Sequence, residues 1–318
     1  MQSNHPIAAN ALEAIGHTPL VKLNKVVGPA SADVFVKLEY YNPTGSYKDR
    51  MALAMIDEAE RSGALQMGMT VVECTGGSTG TSLAFVCAVK GYRFEVVTSD
   101  AFAKEKLQTM RAFGAHLVIM PSKEGKITPD LIPSMRDRAR EMAQRPDAYF
   151  TDQFNNTHSK KGYRQIGVEI LAQLNRPIDA FCGAVGTAGM LIGVSTELRK
   201  AGQTTHVVAL EPASAPLLSK GQVGTHHVEG IGVGMVPPLL TPDFYNEVRA
   251  IDEADARQMA RRLAREEGIF AGTSSGLNIT AAVQLAEELG PGHTVVTVAC
   301  DSGMKYLSGD LYEGQATS

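Results

Sequence analysis

The sequence predicts an α/β protein with two domains, each a parallel-rich twisted sheet flanked by helices. Short β-branched runs alternate with longer helical patterns along most of the 318 residues, and such alternation builds βαβ units around a parallel sheet. The plan is repeated from about residue 155 onward, and a chain of this length suits two domains. Because no low-complexity linker separates the halves, we expect them to pack closely with a cleft between them.

The first predicted domain covers residues 1–155, and its first ~40 residues are expected to pack either within it or on the other domain. Strands are indicated by β-branched runs between turn residues, and helices by apolar residues at helical spacing. In chain order, the predicted elements are the helix MALAMIDEAE, the strand MTVVEC, the helix TSLAFVCAVKGY, the strand FEVVTS, the helix AKEKLQTMRAFGA and the strand HLVIM.

The second predicted domain covers residues 156–318 and follows the same plan. A strand, a Gly-rich turn and a helix come first, and a further strand closes that βαβ unit. Two long helical patterns and a last strand complete the domain. In chain order, the predicted elements are IDAFCGAVG, GMLIGVSTELRKAG, THVVALEP, EADARQMARRLAREEG, LNITAAVQLAEELG and HTVVTVAC.

Composition excludes several classes of function. The formal charge is −4, and no basic tract of the kind that nucleic acid or anionic lipid needs is present. The N-terminus lacks the pattern of a signal peptide, and no apolar run approaches membrane-spanning length. Four cysteines in apolar runs, without CxxC spacing, indicate buried thiols in a reducing compartment. We therefore expect a cytoplasmic protein without nucleic-acid or membrane partners. The adjacent His226 and His227 lack further ligands, so no metal site is predicted.

One lysine stands at an unfavourable position. In NPTGSYKDR, residues 42–50, Lys48 lies between a turn and a predicted helix, where the helix dipole and unpaired N–H groups disfavour a cation. Such a lysine either extends into solvent or has its pKa lowered for use as a nucleophile. Both interpretations stay open at this point.

Two Gly-rich loops each follow a strand and open a helix. They are ECTGGSTGTS and CGAVGTAGMLIG, and the backbone N–H groups of such loops form an anion site at the helix N-terminus. The alternative is that both are tight turns without a ligand. Neither loop has the GxGxxG spacing of dinucleotide-binding proteins or the Gly-Lys-Ser/Thr ending of a P-loop.

A third Gly-rich segment, EEGIFAGTSSGLNITAA, places Ser274 and Ser275 where a strand-like stretch turns into a helix. A role as the helix N-cap accounts for one of the two serines and leaves the other without an explanation. Together, the lysine and the anion-ready loops indicate a cleft for a phosphorylated aldehyde cofactor and a carboxylate substrate.

At this stage the chain resembles the cysteine synthase family, the fold type II enzymes that use pyridoxal 5′-phosphate (PLP) and include cystathionine β-synthase. The resemblance implies a fold like the tryptophan synthase β-subunit, an active-site cleft between the domains, and a homodimer. It runs through IGHTPLVKLN, KLEYYNPTGSYKDR, TGGSTG, TDQFNN, GAVGTAGM, EGIGVGM, AGTSSG and DSGMKYLS.

The resemblance also implies roles for individual residues. Lys48 is implied as the Schiff-base lysine, and its helix-start position favours the deprotonated amine. Ser274 is implied to face the pyridine nitrogen. The cofactor phosphate is implied to lie on Gly186, Thr187, Ala188 and Gly189, with Met190 closing the loop. The substrate is implied to contact Thr75, Gly76, Ser78, Thr79 and Gln153, with Gly230 and Gly232 leaving room at the mouth of the site.

Three positions depart from the family pattern. In place of the usual TSGNTG, this chain has Gly76 for the serine and Ser78 for the asparagine that bonds the cofactor's 3′-oxygen. The shorter Ser78 hydroxyl is expected to reach that oxygen through a water. Met190 stands where the phosphate loop normally closes with threonine, which removes a hydroxyl donor. These changes bear on substrate choice and leave the cofactor assignment intact.

The expected activity is β-replacement on an activated L-serine, most simply O-acetyl-L-serine plus sulfide giving L-cysteine and acetate through an aminoacrylate intermediate. The partners are then a small amino acid and a thiol or sulfide nucleophile. The alternatives are β-elimination alone, as in a serine/threonine dehydratase or a sulfide-releasing lyase, and a weakly catalytic ligand-binding paralogue.

Overall fold

The protein is an α/β structure, as the sequence predicts, and its parallel-rich sheets are flanked by helices. The computed structural model describes residues 7–125, 128 and 130–313. The contacts divide the chain into two compact units. The first unit comprises residues up to His17, Asn42–Thr44 and Lys48–Asp152, and the second comprises Thr18–Tyr41, Gly45–Tyr47 and the chain from Gln153 onward.

The first unit is built on a four-stranded parallel sheet of order β5-β4-β3-β6. The central strands β3 and β4 are rich in β-branched residues and largely buried, as expected of strands covered on both faces. The elements are α1 Lys48–Ser62, β3 Thr70–Cys74, α2 Ser78–Lys90, β4 Arg93–Ser99, α3 Lys104–Ala112, β5 His116–Met120, α4 Leu131–Met142 and β6 Ala148–Phe150, preceded by a 3-10 turn at Ala11–Ala14.

The second unit is built on a six-stranded sheet of order β1-β2-β10-β7-β8-β9, in which only the β1–β2 pair is antiparallel among the described strands. Its strands are β1 Leu20–Lys22, β2 Asp33–Leu38, β7 Ala180–Ala184, β8 His206–Pro212, β9 Glu247–Ile251 and β10 Thr294–Ala299. Its helices are α5 Ser159–Leu174, α6 Gly189–Lys200, the short α7 Leu217–Lys220, α8 Glu253–Arg262 and α9 Thr273–Leu289, with a π-helical turn at Leu263–Glu267.

All the strands and helices expected from the periodicity are present, with one exception. The stretch before Ser274 is not a strand, because Ala271 forms only an isolated bridge to Ser302. Helices α4, α5 and α7 and strands β1, β2, β6 and β9 were not predicted. The longest of these elements is α5. Glycine at Gly167 weakens its helical signal, and the structure explains that glycine, since a Cβ there would lie 3.2 Å from the carbonyl oxygen of Val194 on α6.

A buried asparagine takes the place of backbone pairing inside the larger sheet. Strands β7 and β10 pair only at Ala180 and Phe181. Beyond that point the Asn278 side chain, projecting from α9, accepts a hydrogen bond from Ala184 N–H at 2.8 Å and donates to the Val298 carbonyl at 2.8 Å. Asn278 is fully buried. Its amide thus satisfies one donor and one acceptor that would otherwise be buried without partners.

The four cysteines are buried free thiols, which confirms the prediction from their apolar surroundings. Burial raises the pKa of Cys87 and of Cys182 to about 12, so both stay protonated at neutral pH. Within residues 7–125, 128 and 130–313, no helix has both the length and the apolar character that crossing a membrane requires.

We expect Asn278→Ala to lower the free energy of unfolding by about 2–5 kcal/mol, because it leaves two buried backbone groups unsatisfied. Urea unfolding of the two proteins measures the difference. The matched control is Asn24→Ala, which removes the same amide from an exposed position and is expected to change stability by no more than about 0.5 kcal/mol. Equal stability losses in both variants would contradict the bridging role of Asn278.

Candidate active site

Lys48 is the first residue of α1 and is buried, with 7% of its surface exposed. It therefore does not extend into solvent, which removes one of the two interpretations of its position. The turn before it is held by Asp49, whose carboxylate accepts hydrogen bonds from Thr44 N–H at 2.8 Å and from the Thr44 hydroxyl at 2.5 Å. The same hydroxyl lies 3.3 Å from Ser82 Oγ on α2.

The three residues before Lys48 belong to the second unit. Tyr47 N–H donates to the Cys300 carbonyl at 3.0 Å, and the Tyr47 ring lies 5.3 Å from the ring of Tyr163. Burial raises the pKa of Tyr47 well above its ordinary value, so it stays neutral. The backbone leading into Lys48 is thus fixed by a strand end and by a buried ring.

The first Gly-rich loop connects β3 to α2, as predicted, and brings Thr75, Gly76, Ser78 and Thr79 together within the first unit. The Thr75 hydroxyl accepts a hydrogen bond from Gly77 N–H at 3.2 Å. No side chain caps α2 at its N-cap residue, Gly77. The first-turn N–H groups of such a helix suit a carboxylate.

Gly76 departs from the family pattern for a steric reason. A Cβ built on Gly76 would lie 2.1 Å from the ring of Phe102, a distance at which the ring would have to move. The ring of Phe102 therefore occupies the space that a serine side chain would need. The sequence analysis missed this contact of Phe102 with the first Gly-rich loop.

The second Gly-rich loop connects β7 to α6 through Gly186, Thr187 and Ala188. Ala188 has a φ of 65°, a left-handed conformation that is rare outside glycine. The Thr187 side chain is 6% exposed, and no hydrogen bond of its hydroxyl is present in the part of the chain that the structure describes. No side chain caps α6 at Ala188, so the first turn of α6 presents free N–H donors.

A second loop crosses this one within the same unit. A Cβ on Gly186 would lie 2.3 Å from the carbonyl oxygen of Gly230, and Gly232 N–H donates to the Val185 carbonyl at 3.2 Å. Gly230 and Gly232 have φ values of 82° and 58°. Glycine at both positions is thus explained by backbone conformation, in addition to the space that the sequence analysis expected it to leave.

His226 holds that crossing loop. Its Nε2 lies 3.0 Å from the Gly232 carbonyl oxygen, and its Nδ1 accepts a hydrogen bond from Val228 N–H at 3.2 Å. Both ring nitrogens of His226 therefore contact backbone groups of the crossing loop. The neighbouring His227 side chain is 80% exposed and pairs with Glu253. His227 is therefore a solvent-exposed side chain, whereas His226 has a structural role in the loop.

The third segment opens α9, and its two serines have different roles. The N-cap is Gly272, so the prediction of a serine N-cap is wrong. Ser275 Oγ accepts a hydrogen bond from Cys300 N–H at 2.8 Å, which is a structural role. The Ser274 side chain is 4% exposed, and its hydroxyl has no hydrogen-bond partner among the described residues. Thr273 Oγ1 accepts from Glu229 N–H at 3.2 Å, which ties the crossing loop to α9.

Tyr306 and Asp301 pack against the start of α9. A Cβ on Gly272 would lie 2.3 Å from the Tyr306 ring and 2.4 Å from an Asp301 carboxylate oxygen. Tyr306 donates its hydroxyl hydrogen to Asp301 at 3.0 Å. Burial, with the Asp301 charge adding to it, raises the pKa of Tyr306 well above its ordinary value. Tyr306 therefore remains a neutral donor at neutral pH.

The predicted site residues fall into two sets. Gly186–Gly189, Met190, Gly230, Gly232, Ser274 and the buried Gln153 lie in the second unit, and Lys48, Thr75, Gly76, Ser78 and Thr79 lie in the first. In the second unit, buried hydroxyls and an uncapped helix N-terminus supply neutral hydrogen-bond donors without an opposing carboxylate in the first turn of α6. That donor set fits a phosphate monoester attached to a neutral aromatic ring.

Comparison with known proteins places this arrangement in a family. Residues 11–301 match the family model described as pyridoxal-phosphate dependent enzyme. The chain is 43% identical over 305 residues to a cysteine synthase of Staphylococcus aureus, covering 95% of this chain and 96% of that one. It is 38% identical over 311 residues to the O-ureido-L-serine synthase of Streptomyces lavendulae, with coverages of 97% and 94%.

The fold comparison agrees. A crystal structure of a cysteine synthase from Entamoeba histolytica superposes with a TM-score of 0.93 at 32% identity, covering 100% of this chain and 94% of that one. These similarities confirm the resemblance found in the sequence motifs and the expected cofactor, PLP. The chain therefore belongs to the pyridoxal-phosphate dependent enzyme family, among the relatives of cysteine synthase.

Proposed function

We propose that the protein catalyses β-replacement on an activated L-serine, with O-acetyl-L-serine and sulfide giving L-cysteine and acetate. In this reaction the Cβ–O bond to acetate breaks and a Cβ–S bond forms, while the α-proton leaves Cα and later returns. The observation that carries the proposal is the buried Lys48 at the start of α1, in a chain similar over nearly its whole length to cysteine synthases.

The cofactor residues are proposed as the sequence motifs indicate. Gly186, Thr187, Ala188 and Gly189 would hold the phosphate through the N–H groups of the loop and the Thr187 hydroxyl. When bound, PLP supplies an electron sink that makes the Cα–H bond of the amino acid acidic. The Ser274 hydroxyl, placed at the pyridine nitrogen, cannot keep that nitrogen protonated as a carboxylate would. A weaker sink favours loss of a β-substituent over transamination.

Lys48 is proposed to act twice. Its amine would attach the cofactor, and afterwards the same amine would take the proton from Cα and give it back. Both tasks need a free amine. Asp49 holds the preceding turn through its hydrogen bonds with Thr44. It therefore fixes the backbone position from which the Lys48 side chain extends.

The substrate carboxylate is proposed to lie at the N-terminus of α2, on Thr75, Gly76 and Thr79, with Gln153 as a further donor. The position of these residues at the start of α2 supports this assignment, since the positive end of a helix dipole favours an anion. Ser78, the first residue of that helix, is proposed to contact both cofactor and substrate. Gly230 and Gly232 are proposed to line the entrance.

A second candidate has a specific observation in its favour. The O-ureido-L-serine synthase named above is a full-length relative, and its product carries a larger β-substituent than L-cysteine. Ser78 is shorter than the asparagine of the family motif, so it leaves more room beside Cβ. A nucleophile bulkier than sulfide is therefore the alternative substrate class. Analysis of the products with and without added thiol distinguishes β-replacement from β-elimination, in which no second nucleophile is captured.

Assembly and location are also proposals. A homodimer is proposed from the family resemblance. A cytoplasmic location is proposed because four buried free thiols support a reducing compartment.

We expect the protein to form L-cysteine from O-acetyl-L-serine only when sulfide is added, and Lys48→Ala to lower this rate at least about a thousandfold. The variant should also lose the near-visible absorption of the lysine-bound cofactor. Lys104→Ala is the matched control, because Lys104 is likewise the first residue of a helix but is exposed. Retained turnover in Lys48→Ala would refute the assignment.

We expect substitutions of the adjacent Ser274 and Ser275 to have different effects. We expect Ser274→Ala to reduce catalysis by about 0.5–1.5 kcal/mol, the size of one neutral hydrogen bond, and to retain PLP. Ser274→Asp should alter the cofactor spectrum and slow the reaction. Ser275→Ala should lower stability by about 1–3 kcal/mol, because Cys300 N–H loses its acceptor, with the spectrum unchanged. Visible spectra, kcat and urea unfolding of the three variants test this, and a purely structural Ser274 would behave like Ser275.

Ser78 should control the size of the accepted nucleophile. We expect Ser78→Asn to shift discrimination toward sulfide and against larger thiols by about 1–3 kcal/mol, because the longer side chain narrows the space beside Cβ. The measurement is kcat/KM for sulfide and for a series of thiols in both proteins. The same ratio before and after the substitution would mean that Ser78 does not set specificity.

A further inference from the structure

The phosphate loop has lost a hydroxyl at its last position. Met190 stands in the first turn of α6 and is buried. A Cβ on Gly183 of β7 would lie 2.6 Å from the Met190 methyl carbon, so this side chain packs on the strand and offers no hydrogen-bond donor. A phosphate held by this loop therefore needs another donor to replace the missing one.

A serine from a different helix lies against the same turn. Ser159 is the first residue of α5 and is fully buried. A Cβ on Gly189, the first residue of α6, would lie 3.5 Å from Ser159 Oγ. Across residues 7–125, 128 and 130–313, that hydroxyl has no hydrogen-bond partner. A buried hydroxyl without a hydrogen-bond partner destabilises the protein, and a bound ligand that accepts its hydrogen bond would remove that cost.

Two helix N-termini meet at this point. Neither α5, with 16 residues, nor α6, with 12, has a side-chain cap, and neither has an acidic residue in its first turn. Their starts are brought together by Tyr163 of α5, whose ring would lie 2.9 Å from a Cβ on Gly189. The positive ends of both helix dipoles therefore lie beside the Ser159 hydroxyl, and the first turn of α6 adds N–H donors, an arrangement that favours a dianion.

We propose that Ser159 is a phosphate-binding residue of the PLP site, supplying from α5 the hydroxyl that position 190 of the loop lacks. The hydroxyl would donate to a phosphate oxygen held by the Gly186–Gly189 loop. This inference rests on the phosphate-loop assignment in the proposed function. It adds a second helix to the phosphate site, and it explains why Met190 is tolerated in the loop.

The test compares PLP with pyridoxal, which lacks the phosphate. The full-length protein and Ser159→Ala are freed of cofactor and titrated with each compound, with binding followed by absorbance and fluorescence. We expect the dissociation constant for PLP to rise about tenfold to a hundredfold, the effect of one hydrogen bond to a charged group. The constant for pyridoxal should change by less than about twofold.

The control is Ser195→Ala, which removes a fully buried hydroxyl from α6 that donates to the Ile192 carbonyl at 3.2 Å. It should leave both dissociation constants unchanged. Ser159→Ala should also leave the melting temperature of the cofactor-free protein equal or raised, since it removes an unsatisfied group. An unchanged PLP constant, or equal rises for PLP and pyridoxal, would overturn the inference. If Ser159→Ala selectively weakens the binding of PLP, but the unsubstituted protein forms no L-cysteine from O-acetyl-L-serine and sulfide, only the proposed reaction is refuted.

Discussion

The architecture of the second unit depends on one amide that stands in for backbone pairing. Strands β7 and β10 are neighbours, but their ladder ends at Phe181. From there on Asn278 satisfies the Ala184 N–H and the Val298 carbonyl, and the Thr297 hydroxyl donates to the Cys182 carbonyl at 2.8 Å. Side chains therefore complete the hydrogen bonding at the carboxyl ends of these strands. In open α/β sheets that is the end where ligand-binding loops lie.

The same amide also positions α9. Since Asn278 is held by two strands, the first turn of its helix is fixed relative to both strand ends, and Ser275 adds a bond to Cys300. Ser274, by contrast, has no hydrogen-bond partner for its hydroxyl within the described chain. The loop at Gly186 and the crossing loop at Gly230 are joined by backbone contacts, so each loop supports the conformation of the other.

The sequence predicted those features of the fold and of the candidate site that depend on residues close together in the chain. The strand-turn-helix order of two Gly-rich loops, the helix after Lys48 and the family motifs were all readable from short stretches, and the structure and comparisons confirm the fold, the family and the cofactor. Features that depend on distant partners were not readable. Phe102 explains Gly76 only once both are placed, and the departure of Ser274 from an N-cap role depends on where α9 begins. The roles proposed for the individual site residues stay predictions.

The place of β2 in the larger sheet has a consequence for biosynthesis. Asp33 at the start of β2 pairs with Thr294 at the start of β10. Strand β2, which is synthesised early, therefore has no β10 partner until translation has passed residue 294. The first unit's sheet is complete once Phe150 has emerged from the ribosome, whereas β2 then still has an unpaired edge on the β10 side. Closing so long a loop is slow, and an unpaired strand edge invites association with other chains. The nascent protein is therefore most exposed to aggregation during translation of its second half.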